Sequence, residues 1–147
     1  MKYKWMFSLA LFLVMLSAKA QFRKIPAAVT DSFKTKYENA TKVSWKDNIA
    51  NFQASFKMGN DNAKAFYSSK GEWLKTERNY SIEGLPEEIK DGLKKSKYAG
   101  WPVKEILYVE EHDKQPKYRV QARKGDLQKK NLYFSTTGQL LDDSITL

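Results

Sequence analysis

Ten residues near the start of the chain, IPAAVTDSFK at positions 25–34, return sixty residues later as LPEEIKDGLK at positions 85–94. Such a repeat constrains a chain of 147 residues severely, because whatever one copy folds into, the other copy must fold into as well. The coincidences are not confined to one residue type: Pro26 matches Pro86, Asp31 matches Asp91, Lys34 matches Lys94, and the apolar positions Ile25, Val29 and Phe33 match Leu85, Ile89 and Leu93. Val43 and Val103 keep the same spacing, and FYSSKG at 66–71 reappears as YFSTTG at 133–138, sixty-seven residues on. The surplus falls around residues 110–116, where Asp113, Gln115 and Pro116 mark a longer hairpin loop. Order-preserving matches at both ends of a unit of this length favour duplication over chance.

Each copy opens with a helix signal. Proline suits a first helical turn, since its fixed φ is already helical and its missing N–H would have no partner there. Val29, Phe33 and Tyr37 then recur every four residues, as do Ile89 and Leu93, so each helix has one apolar face to cover a core. Beyond the helices the period changes to two. Phe52, Ala54, Phe56 and Met58 alternate with Gln53, Ser55 and Lys57, and Tyr118, Val120 and Ala122 alternate with Lys117, Arg119, Gln121 and Arg123, the pattern of half-buried antiparallel strands. Turn residues at 60–62, 70–71, 125–126 and 137–138 punctuate them. Two repeats, about 25–80 and 85–143, therefore predict one α+β domain: a single antiparallel sheet of about eight strands with both helices on one face.

The first twenty residues read as an address. Lys2 and Lys4 precede an apolar run at 7–16, and Ala18-Lys19-Ala20 supplies the small residues that a signal peptidase requires, so cleavage is expected after Ala20. The apolar run is about half the roughly 20 residues that a spanning helix needs, which argues against a retained anchor. The mature chain, 21–147, is expected to be periplasmic or secreted, with no stable membrane insertion. Removal of Lys2, Lys4 and Lys19 takes three positive charges from the +9 of the full chain and leaves +6, a balance that favours an acidic partner.

Composition removes whole classes of chemistry. There is no Cys, hence no disulfide, thiolate zinc ligand or thiol nucleophile, and the one His, His112, forbids a His-pair metal site. No Gly-x-Ser-x-Gly or Ser-x-x-Lys context surrounds a serine, and no carboxylate pair stands out from the 17 acids. The expectation is a protein with no catalytic residues, no metal and no cofactor. The acids and His112 at 110–113 lack the spacing of a calcium loop, and export separates the chain from most nucleic acid.

The Pro-led helices and the recurring aromatic-x-x-x-x-Gly-x-Leu/Trp-Leu ends of the meanders, behind a signal peptide, resemble the PepSY-like family, whose fold is similar to that of the β-lactamase-inhibitor protein. The positions carrying the likeness are Pro26, Phe33, Trp45, Phe66, Tyr67, Gly71 and Trp73, then Pro86, Leu93, Val103, Tyr133, Gly138 and Leu141. They are structural, and no catalytic residue transfers with them. The resemblance implies a small periplasmic protein that acts by binding, with regulation of a peptidase as one role proposed for such domains, and it implies that the helix-free sheet face grips the partner.

The candidate partner surface follows from strand alternation. Lys57, Lys64, Arg119, Gln121 and Arg123 are expected on the solvent face of the strands, with Tyr133 and Trp73, and also Tyr108, as neighbouring aromatics, since cations beside aromatic rings are the chemistry of binding hot spots. The expected partner is an acidic protein or peptide of the cell envelope. The structural alternative is a solvated, edge-protected face. Trp45, Trp73 and Trp101 also suit a role closing the core with their N–H groups outward. A rival function is small-ligand or cation sensing, in the cleft between the two copies or in the loop at 110–113.

Overall fold

A computed structural model describes residues 23–145. The expected signal peptide and its cleavage site lie outside these residues. The element order is α1 (Ala27–Lys36), β1 (Thr41–Asp47), β2 (Phe52–Met58), β3 (Asp61–Tyr67), β4 (Trp73–Tyr80), α2 (Glu87–Lys95), β5 (Val103–Glu111), β6 (Lys117–Lys124), β7 (Gln128–Ser135) and β8 (Leu140–Ile145). All eight strands form one sheet in sequence order, and every neighbouring pair is antiparallel. The α+β class, the strand count and the shared face of the helices thus follow the alternation of the sequence.

The helices begin alike. Pro26 O accepts from the N–H groups of Val29 and Thr30, and Pro86 O accepts from those of Ile89 and Lys90. Val29 and Phe33 are buried beneath α1 with Phe52, Ala54, Phe56, Ala63, Ala65 and Tyr67, while Ile89 is buried beneath α2 among Ile106, Tyr118, Val120, Leu132 and Phe134. Each of the larger aliphatic and Phe side chains among these stabilises the fold by about 1.5–3 kcal/mol through burial, which is how a cysteine-free domain stands without a covalent staple.

The two halves also share their irregularities. The register shifts between Thr41 and Ser44 in β1 and between Val103 and Glu105 in β5, and again between Phe66 and Tyr67 where β3 meets β4 and between Tyr133 and Phe134 where β7 meets β8. Both hairpin glycines that end the matching hexapeptides lie against the helices with positive φ. A Cβ on Gly71 would stand 2.5 Å from Ala28 O, and one on Gly138 would stand 2.0 Å from Glu88 O. Ala28 and Glu88 are themselves the same position of the repeat. The β2–β3 turn falls at Gly59 and Asn60 instead of 60–62, because Gly59 supplies the positive φ that the turn needs and Asp61 and Asn62 already pair in β3.

Candidate binding surface

The register assigns each strand residue to a face. Ala54, Ala65 and Thr76 lie in one row under the helices, so their neighbours Ser55, Lys64 and Glu77 point to the helix-free side. Followed across the sheet, the helix-free face carries Lys57 and Ser55 from β2, Asn62 and Lys64 from β3, Lys75 and Glu77 from β4, Leu107 and Val109 from β5, Lys117, Arg119, Gln121 and Arg123 from β6, and Asn131 and Tyr133 from β7. Six of the seven candidate residues, Lys57, Lys64, Arg119, Gln121, Arg123 and Tyr133, stand on this one face.

Trp73 does not. It pairs with Tyr67 and packs on the α1 core, and its Nε1 donates to Thr76 Oγ1 at 2.8 Å with Lys36 Nζ 4.1 Å above the ring. The register shift beside Phe66 is the cause: Lys75 pairs with Phe66 on the open face, and simple alternation would carry Trp73 there, but the extra residue returns it to the helix side. Tyr108 is also on the helix side, opposite Arg78 and Tyr118. Trp45 and Trp101 pack, half-buried, against the first and second core respectively.

The open face has two electrostatically different parts. Toward β1, Lys42, Lys57 and Lys64 border a trough of about 350 Å³ together with Ser44, Ser55, Asn62 and Asn79, and no acidic side chain lines it. Among the described residues these three lysines make no ion pair. Toward β8, a second depression of about 300 Å³ is lined by charges of both signs, of which Lys75, Glu77, Glu111, Lys117 and Arg119 are held in ion pairs and Asp142, among the described residues, is not. Lys75 Nζ lies 2.6 Å from Glu77 Oε1, Lys117 Nζ 3.2 Å from Glu111 Oε2, and Arg119 Nη2 2.9 Å from Glu105 Oε2. Burial pushes the Glu111 carboxyl up, but hydrogen bonds from Lys114 and Lys117 outweigh it and hold the group below the usual range. Arg123 folds back on its own turn, donating to Gly125 O at 2.8 Å and to Asp126 Oδ1 at 2.9 Å.

Sequence reasoning missed what lies beneath the second part. Leu107 and Val109 are 4% and 5% exposed although no helix covers them. They stand opposite Arg119 and Lys117, and Val109, Lys117, Arg119 and Tyr133 line one depression, so the long stems of the two cations and the Tyr133 ring cover this apolar pair. Two apolar residues at alternate positions in β5 were the available signal. The loop residues at 110–113 do not converge: Glu110 pairs with Thr76 on the helix side, Glu111 with Lys75 on the open side, and His112 Nδ1 lies 2.8 Å from Asp113 Oδ2.

The family model described as "Putative beta-lactamase-inhibitor-like, PepSY-like" matches residues 50–142. The chain belongs to this PepSY-like family. Among solved structures it is similar to a BLIP-like protein from Bacteroides fragilis, with 25% identity and a TM-score of 0.80 over 86% of this chain and 90% of that one. A DUF2874 family protein from Bacteroides ovatus gives 22% identity and a TM-score of 0.78 over 84% and 89%. A structure from Bacteroides eggerthii described as "putative periplasmic proteins" gives 19% and 0.76 over 84% and 90%. The last two likenesses speak to the fold. No curated protein is significantly similar to the chain. Among the described residues no helix is long and apolar enough to cross a membrane.

Proposed function

We propose that this PepSY-like protein is an exported, non-enzymatic binding module whose helix-free sheet face takes an acidic, extended segment of another protein of the cell envelope. The observation that carries the reading is the trough of Lys42, Lys57 and Lys64, three cations without an ion-pair partner among the described residues, beside neutral hydrogen-bonding side chains. An incoming carboxylate meets these ammonium groups without displacing an existing ion pair, whereas at Arg119 it must compete with Glu105. The recognition role therefore centres on Lys57 and Lys64, with Gln121, Arg119 and Tyr133 extending the surface and Arg123 at its margin. The BLIP-like name of one similar structure and the family's inhibitor-like description support action by binding, while a shared fold alone leaves the partner open.

The test is capture by the immobilised mature chain, 21–147, from an envelope extract at low and moderate salt. A protein retained at low salt, weakened by salt and lost with Lys57→Glu plus Lys64→Glu is the expected result. Retention that survives this double reversal, or no retention at either salt, overturns the reading.

A further inference from the structure

The two cores beneath the helices are separate clusters, and the seam between them on the helix side of β4 and β5 is polar and aromatic. Arg78 stands in it, opposite Ala63 on one neighbouring strand and Tyr108 on the other. Its guanidinium carbon lies 5.5 Å from the centroid of the Tyr80 ring and 5.2 Å from that of Tyr108. Its Nε is buried without an acceptor, and its one hydrogen bond among the described residues, from Nη2 to Tyr80 Oη, is long at 3.4 Å. No carboxylate of the described residues lies within ion-pair distance of it. The contrast with Arg119 is instructive, since that residue also has a buried, unpartnered Nε but holds Glu105 with Nη2.

A guanidinium carries five donors in a planar fork and keeps its charge at any pH a protein tolerates. Arg78 is half-buried, and holding it between two tyrosine rings with no ion-pair partner among the described residues leaves most of that capacity unused. The seam is also accessible. Arg78 borders a cavity of about 350 Å³ that opens beneath the C-terminal end of α1, between Tyr37 and Ala40 on one side and Met58 and Asp61, which flank the β2–β3 turn, on the other.

We propose that this seam is a carboxylate-binding site, with Arg78 as its anchor and the apolar walls of Tyr37, Ala40 and Met58 receiving a small apolar body attached to the carboxylate. The planar fork matches a carboxylate in two parallel hydrogen bonds. The cavity lining sets Lys36 and Arg78 against Glu38 and Asp61, a balanced charge that accepts a single negative charge more readily than a dianion such as phosphate. The site faces away from the open sheet face, so this inference is independent of the proposed partner surface.

The probe is benzoate, titrated into the ¹⁵N-labelled mature chain while the Arg78 Nε–H resonance and the melting temperature are followed, with benzamide as the neutral isostere and inorganic phosphate as the dianion. Benzoate is expected to shift the Arg78 resonance and raise the melting temperature, as a ligand confined to the folded state does. Benzamide and phosphate are expected to do neither. Arg78→Gln removes the response, and Arg78→Lys, which keeps the charge and loses the fork, weakens it about tenfold, in line with the loss of a charge-assisted hydrogen bond. A short peptide ending in phenylalanine, with its C-terminal carboxylate free or amidated, separates the two sources of the group. Response to the free form assigns a chain terminus, and response to benzoate alone assigns a small organic acid. No response to benzoate or the free peptide, an equal response to benzamide or phosphate, or an undiminished response in Arg78→Lys overturns the proposal.

Discussion

Replacement of Gly138 by Ala tests how the helices are seated on the sheet. Gly138 has φ +83°, and a Cβ there would stand 2.0 Å from Glu88 O, where ordinary contact begins near 3.4 Å. Either the hairpin or the first turn of α2 must retreat by more than an ångström, and Ile89, wholly buried, follows Glu88 directly. The converse contact tightens the constraint, because a Cβ on Gly92 would stand 2.1 Å from Gly138 O. The positive φ costs an L-residue about 1–2 kcal/mol, and forcing atoms into a packed contact costs about 1–3 kcal/mol more. Gly125→Ala isolates the first term, since Gly125 has φ +65° with nothing within 4 Å of the added Cβ. Urea unfolding followed by tryptophan fluorescence should therefore place Gly138→Ala below Gly125→Ala by about 2 kcal/mol, roughly 1 M in midpoint for a domain of this size. Gly71→Ala, with a 2.5 Å approach to Ala28 O, falls between them. Coincident midpoints for Gly138→Ala and Gly125→Ala would refute the claim that the hairpin glycines set the helix position.

Three further expectations concern single interactions. Arg23 donates to both oxygens of Asp47, from Nε at 2.7 Å and Nη2 at 2.6 Å, which holds the Asp47 carboxyl down at about 2. A depressed carboxylate stabilises the fold above its unfolded value near 3.9 and loses that contribution as pH falls toward about 2, so urea midpoints of the wild type and Asp47→Asn should differ at pH 7 and converge at pH 2. Tyr67 is wholly buried with its hydroxyl unpartnered among the described residues, so Tyr67→Phe should raise stability by about 1 kcal/mol, and a loss in thermal melts would show that the hydroxyl is satisfied. Leu107→Ala should cost about 2–3 kcal/mol despite its place on the helix-free face, and a neutral result would mean that the charged roof above it is not closed.

Most of the architecture was legible because a period of two and a period of four are direct records of burial. Phe52, Ala54 and Phe56, or Tyr118, Val120 and Ala122, place a strand and its core face without knowledge of what covers them, and the repeat supplied the second half from the first. The same alternation misplaced Trp73, since an extra residue beside the β3 pairing reverses parity and no local residue type announces it. Nor did the sequence distinguish free cations from engaged ones. Lys57 and Arg119 look alike as outward charges on strands, but Glu105, fourteen residues from Arg119, reaches it only through the β5–β6 register. Arg78 was hidden for the complementary reason, a charge on the helix side of a strand whose surroundings are set by Tyr80 two residues on and by the non-local Tyr108.

The central claim, that one face and not net charge recognises the partner, is tested by comparing two charge reversals of equal size. Lys57→Glu with Lys64→Glu alters the open face, and Lys34→Glu with Lys95→Glu alters the exposed sides of α1 and α2. Affinity of each variant for the captured envelope protein, measured by biolayer interferometry at matched salt, should fall by more than a hundredfold for the first pair and change by only a few-fold for the second, given about 1.5–3 kcal/mol for each charge-assisted contact. Equal losses for the two pairs would contradict the account, because binding would then follow the overall charge of the protein and not its sheet face.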